Sequence, residues 1–301
     1  GIIDHAAKRG MTVDMSVPIL EYPMEFRSVL PGAQTAQQLG SRTCRPSSGQ
    51  DPGDPLLVDL IRTILRTHVQ TYPDVERFSV VFPEHREWLE RAEDSWSKLD
   101  EKYQISEVMS LDDGIAAARQ RTQLHGGAER QVTRVKGDVA MLCLLDKVLE
   151  DTTVMQRPGR TPARIIYNGM AEELMAVVPR LRACGSELLV FVDYTARRVV
   201  DQIDLLDLVP TDQVPSRFVF TLADDNVGVV PQLATEPLHT IATRLRASGW
   251  SGFMTRYWMI GDLDPTIQYL ARSSWDTSIT PESAYAELAT RVFGDTAAEH
   301  V

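Results

Sequence analysis

Residues Arg217 to Asn226 read RFVFTLADDN, and the reading of this stretch decides the fold. Phe218, Val219, Phe220 and Leu222 are apolar, Thr221 is the only polar residue among them, and the run stops at Asp224, Asp225 and Asn226. A short apolar run bounded by a polar cluster is the pattern of a strand buried on both faces, as strands of parallel sheets are. The carboxylates then stand at its carboxyl-terminal edge, where the loops of α/β sheets gather ligands and catalytic side chains. The plainer reading of Asp-Asp-Asn is a helix cap or an Asx turn. What tells against it is repetition along the chain.

The pattern recurs on both sides of that stretch. Upstream, MTVDMSVPILEYP (11–23) closes on Glu21, Tyr22 and Pro23, and FSVVFPEHREW (78–88) runs into Pro83, Glu84, His85, Arg86 and Trp88. ARIIYNGM (163–170) ends at Asn168, and ELLVFVDYTAR (187–197) delivers Asp193, Tyr194 and Arg197. Downstream, SGFMTRYWMIGDLDP (251–265) carries Arg256, Tyr257, Trp258, Asp262 and Asp264. Helical stretches lie between them. Pro55 to Thr71 has apolar residues at three and four spacing, and residues 89–151 are charged and mostly helical, with a core helix over 139–149. Further helices are expected over 171–185, 199–208 and 237–248, and the tail reads as two helices joined at Thr280-Pro281 with Gly294 as a stop.

Strand and helix thus alternate six times, with connections long enough for parallel βαβ units. Ile2, Ile3, Ala6 and Ala7 have helical spacing with Gly10 as a C-cap, so the chain opens in a helix. The expected fold is α/β, a (β/α)8 TIM-type barrel lacking its first one or two βα units. In domain terms, residues 1–275 form a partial barrel with a helical insertion at about 89–151, and 276–301 form a C-terminal helical extension. Residues 31–55, rich in Gly, Pro, Ser, Gln and Thr, read as a long rim or lid loop. A doubly wound open sheet is the alternative, although no GxGxxG or P-loop follows any strand.

The chain has 301 residues, a net charge of −11, a pI near 5.1 and 43% hydrophobic residues, which suits a soluble globular protein with a large core. The acid excess argues against nucleic acid or an anionic membrane as partner. No apolar run approaches the roughly 20 residues that span a bilayer. Cys44, Cys143 and Cys184 have neither CxxC nor zinc spacing and read as reduced thiols.

A parallel barrel would aim all the strand-end residues toward one mouth. Carboxylates alternating with aromatic rings and amides are what a sugar site requires, because flat rings stack on pyranose C–H faces while carboxylates and amides bind hydroxyls. Glycoside hydrolysis needs two carboxyls, one protonated to release the leaving oxygen and one ionised as base or nucleophile. Glu84 is the expected acid, since Pro83 and Trp88 offer apolar surroundings that would raise its pKa. Asp225 or Asp224 is the expected partner, with His85, Arg86, Trp88, Asn168, Asp193, Tyr194, Asn226, Arg256, Tyr257 and Trp258 binding an oligosaccharide or glycoside substrate.

Each residue also has a structural reading. Glu84 pairs with Arg86 or Arg77 on that reading, Arg256 neutralises Asp193 or Asp225, Trp250 and Trp275 are core, and Asp262 and Asp264 begin a helix beside Pro265. With no HxH, HExxH or EF-hand spacing, neither a metal nor another cofactor is expected. A metal-assisted hydrolase or lyase, and a non-catalytic sugar-binding barrel, are the rival functions.

The run LADDNVGVVPQL (222–233) resembles a segment of the xylan α-glucuronidases of glycoside hydrolase family 115, in which Asp-Asp-Asn ends a barrel strand. SGFMTRYWMIGDLDPTIQYLARSSWD (251–276) and TPESAYAELATRVFG (280–294) are similar to the barrel ending and trailing helices of families 67 and 115. FPEHREW (82–88) is similar in position to the strand that carries the acid in family 67. The resemblance implies a (β/α)8 glycosidase with a catalytic base near Asp224 or Asp225. The chain departs from family 115 where that family has Tyr-Lys-Glu-Val. Here VDYTARRV (192–199) has no Glu, which shifts the acid to Glu84 or Asp193.

Overall fold

The computed structural model describes residues 1–35, 43–83, 86–121, 126–181, 186–223, 234–257 and 264–298. In chain order the elements are α1 (Ile2–Lys8), β1 (Asp14–Val17), β2 (Tyr22–Pro23), β3 (Gln34–Thr35), β4 (Thr43–Arg45), α2 (Pro55–Thr71) and β5 (Arg77–Val81). They continue with α3 (Ala92–Tyr103), α4 (Leu111–Arg119), α5 (Gly127–Leu149), β6 (Arg164–Asn168), β7 (Glu187–Val190) and α6 (Ala196–Val200). The rest are β8 (Ser216–Ala223), α7 (Thr235–Ala247), β9 (Gly252–Tyr257), α8 (Asp264–Ser273), α9 (Pro281–Phe293) and α10 (Asp295–Ala298).

Six of these strands form one sheet in the order β1-β5-β6-β7-β8-β9, and a second sheet of order β2-β4-β3 is antiparallel. This corrects the barrel expectation. The main sheet has six strands rather than eight, and it ends on two edges, β1 and β9, so no eight-stranded closed barrel is present among the described residues. The reason is physical. Periodicity along the chain reports that a strand is parallel and buried, whereas closure depends on strand number, tilt and shear, which no local pattern encodes. The small antiparallel sheet was not foreseen either. Its strands are two or three residues long; β3 and β4 lie where the sequence reads as a loop, and β2 at the end of the first expected strand.

The chain divides into two compact units. One comprises Gly1–Val190 with Leu208–Pro215, the other Phe191–Asp207 with Ser216–Val301. In the first, β1 pairs with β5, β5 with β6 and β6 with β7, all parallel, with Val80 opposite Tyr167 and Tyr167 opposite Leu188. Phe78, Val80, Ile165, Ile166, Tyr167, Leu188 and Val190 are all buried, so both faces of these strands are covered. The edge strand β1 alternates instead, with only Val17 buried.

The helices follow from their sequences. Asp54 caps α2 by accepting from the amides of Leu56 (2.9 Å) and Leu57 (3.2 Å), Pro55 occupies its first turn, and Leu57, Ile61, Leu65 and Val69 face inward. Three helices, α3, α4 and α5, lie between β5 and β6, and on α5 every residue from Val139 to Leu145 is buried. Residues 172–180, expected as a helix, form a 3₁₀ segment that contains Pro179, a residue no α-helical interior accepts easily.

In the second unit β8 pairs in parallel with β9, Phe218 opposite Phe253 and Phe220 opposite Thr255, with a register shift between Thr221 and Ala223. Phe218, Val219, Phe220, Thr221 and Leu222 are all buried, as the opening stretch implied. Phe220 meets Phe253 at 5.0 Å and Phe218 meets Trp250 at 6.0 Å, so Trp250 is core as expected. Trp275, expected beside it in the core, is instead 92% exposed. The tail helices are α8 and α9, with the Thr280 hydroxyl accepting from the Ser283 amide and Gly294 ending α9 at φ +81°. No helix among the described residues is long and apolar enough to cross a membrane.

Candidate functional site

The expected site residues cluster in sequence at the carboxyl-terminal ends of strands. In the second unit, β8 ends at Ala223, whose Cα partner is Tyr257 on β9. Asp224, Asp225 and Asn226 follow directly in sequence but lie outside the described residues, as do Trp258, Asp262 and the side chain of Tyr257. What is described beside that edge is a cation on two rings. The Arg256 guanidinium carbon lies 5.3 Å from the centre of the Tyr194 ring and 5.5 Å from that of Phe191. The two rings meet edge to face at 4.9 Å, and a guanidinium over such faces is held by their negative quadrupole.

Asp193, between those rings in sequence, is buried with its carboxylate 2% exposed. It accepts from the Thr195 amide at 3.3 Å and pairs with Arg198 at 3.6 Å. The other expected partner of Arg256, Asp225, lies outside the described residues. Thr195 in turn caps α6 through the Arg198 amide, which ties the turn after β7 to the helix. Arg197 points elsewhere, to Asp201 at 3.3 Å.

In the first unit Glu84 and His85 lie outside the described residues, but the positions flanking them are defined. Arg86 is 5% exposed and donates from Nε to Asp138 Oδ1 (2.7 Å), from Nη2 to Asp138 Oδ2 (3.2 Å) and to the Gly169 carbonyl (3.0 Å), and from Nη1 to the Pro83 carbonyl. One guanidinium thus ties the loop after β5 to α5 and to the end of β6. The expected pairing of Glu84 with Arg86 or Arg77 lies outside the described residues, and among those Arg77 bonds Glu187 at 2.9 Å. Trp88 is 3% exposed, at φ +58°, with its indole N–H donating to the Ser47 carbonyl, which makes it a core residue of this loop. Asn168 ends β6 half-buried and donates to the Ser79 hydroxyl at 3.1 Å. Tyr22, at the end of the first expected strand, is buried and donates to the Ile19 carbonyl at 2.6 Å.

Gly137 explains how Arg86 comes so close to α5. A Cβ built there would stand 2.3 Å from Arg86 Cγ and 2.4 Å from its Cβ, well inside contact distance. We expect Gly137→Ala to destabilise the first unit by about 1–3 kcal/mol through overpacking, read from denaturant midpoints, although alanine is the better helix former. An unchanged or raised midpoint would show that the loop does not sit on this glycine.

The same region holds a cluster that the residue pattern did not reveal. Glu172 and Glu173 begin the 3₁₀ segment just past β6, with side chains 0% and 1% exposed. Arg121 splits its fork between them, Nη2 to Glu172 Oε2 at 2.7 Å and Nε to Glu173 Oε1 at 2.9 Å. Arg134 adds a bond to Glu172 Oε2 at 3.3 Å and also reaches the Gly169 and Met170 carbonyls. Asp138 Oδ2 accepts the Ala171 amide at 2.7 Å, joining this cluster to the Arg86 pair. Burial, and then the charge of Glu172, push the Glu173 carboxyl above the ordinary glutamate range. The signal in the sequence was Glu-Glu beginning four residues past a strand end, which reads equally well as acids complementing a helix N-terminus.

Among the described residues no group of three or more His, Cys, Asp or Glu is arranged to hold a metal ion. Cys44 and Cys143 are free and buried, and Cys184 lies outside the described residues. No family model matches the chain, and no curated protein matches it.

Proposed function

We propose that this chain is a glycoside hydrolase working by paired-carboxylate chemistry, with Asp225, flanked by Asp224, as the ionised group and Glu84 as the proton donor. The observation that carries the reading is the Arg256 guanidinium seated over Tyr194 and Phe191, on the strand that pairs with the one leading into Asp224-Asp225-Asn226. A cation and aromatic edges at this end of β9, with two carboxylates and an amide next in sequence after β8, suit a ligand rich in hydroxyls. Each type of group answers one part of a sugar: rings the C–H faces, and the charged and amide groups the hydroxyls. Asp193, buried and paired with Arg198, fits the positioning of that turn better than proton transfer.

The test is hydrolysis of a panel of aryl α- and β-glycosides, including uronides, followed by release of the aryl alcohol. The reading expects turnover of at least one member, insensitive to EDTA. Turnover abolished by EDTA and restored by a divalent ion would replace it with a metal-assisted reaction. Binding of the glycosides with no hydrolysis of any would leave a sugar-binding protein.

A further inference from the structure

The buried acid pair of the first unit is unevenly served. Among the described side chains, Glu172 receives two guanidiniums, those of Arg121 and Arg134, whereas Glu173 receives the Nε of Arg121. Glu173 Oε2 and Arg121 Nη1 are buried with no hydrogen-bond partner. Arg121 lies two residues past α4, and the glutamates belong to the segment that follows β6, so this junction fastens the helices between β5 and β6 to that segment.

Among the described residues, these charged groups meet there. They are Arg121 from the end of α4, Arg134 and Asp138 from α5, Glu172 from the same segment as Glu173, and Arg86 engaging Asp138 from the loop after β5. A second anion beside Glu172, in a space closed to water and sharing one guanidinium, is the weakest member of this set.

We propose that the Arg121–Glu172–Glu173 junction is a proton-operated latch, closed when Glu173 carries a proton and loosened when that proton is lost. The physical logic is linkage. An opened junction lets Glu173 ionise in water, so each step up in pH favours opening. The upward push on its carboxyl has the matching sign: the stability this group contributes is fully present below the ordinary glutamate range. It is lost as pH rises through the raised folded value. The latch stands apart from the glycosidase reading and holds whether or not that reading does.

The experiment is hydrogen exchange of the intact protein at a series of pH values, corrected for intrinsic exchange, with peptides covering α4 and residues 170–181. In the wild type, opening of both segments should grow with pH by up to about tenfold per unit, the limit for one proton. In Glu173→Gln that slope should vanish while α2 behaves alike in both proteins. The same slope in both would overturn the proposal. Should Glu173→Gln fail to fold, ¹³C titration of the wild-type carboxyls decides: one glutamate titrating above the others supports the latch. Glu173 titrating together with the exposed glutamates sinks it.

Discussion

Asp138→Ala should weaken the first unit by roughly 3–5 kcal/mol, because it leaves the Arg86 guanidinium, 5% exposed, without its carboxylate. The loss has two parts. Arg86 keeps the Pro83 and Gly169 carbonyls but no counter-charge, and the Ala171 amide loses its acceptor. Against a total stability of about 5–15 kcal/mol this is a large fraction. The thermal transition should fall by roughly 6–20 °C.

The companion variant makes the cause testable. Replacing both partners with apolar residues, Arg86→Met with Asp138→Leu, should recover much of the loss, since a buried pair removed whole leaves no stranded charge. If Asp138→Ala melts within a degree or two of the wild type, the pair does not hold the loop after β5 as described. If the double variant is as unstable as the single one, lost shape rather than a stranded charge is the cause.

The second large effect concerns activity. Asp225→Asn and Glu84→Gln should each reduce kcat/KM on the best aryl glycoside by about 10²–10⁴-fold, the range of a general acid or base, with Tm nearly unchanged. The amides keep the size of the acids and remove only the proton chemistry. Leaving-group dependence separates the two roles. Glu84→Gln should be least impaired on glycosides whose aryl group departs without a proton, whereas Asp225→Asn should be impaired on all. Full activity in either variant would remove that residue from the reaction, and full activity in both would end the paired-carboxylate reading.

Much of the fold was legible because burial on both faces leaves a plain mark. RFVFTLA, ARIIYN and FSVV are short apolar runs with β-branched or aromatic residues, and each became a parallel strand at those positions. The helix over Pro55–Thr71 matched its apolar spacing to the residue, because Asp54 and Pro55 fix its start. The MTVDMSVPILEYP stretch was less faithful, keeping only Asp14–Val17 in the main sheet and sending Tyr22–Pro23 into the small one. An edge strand with one buried residue carries too weak a pattern to bound.

Candidate site residues were legible as positions rather than partners. The sequence alone determined the positions of most parallel strands and the polar residues that follow several of them, because strand period and terminating residues are local properties. Only the tertiary structure decided what those residues do with their charge. Arg86 turns to Asp138 from 52 positions away in the chain, Trp88 is buried, and Arg256 lies on Tyr194 and Phe191. It also decided that the sheet ends on two edges, and that Glu172 and Glu173 share Arg121 in a space closed to water. Ion pairing and closure depend on which distant segments meet, and no stretch of the chain, read by itself, contains that information.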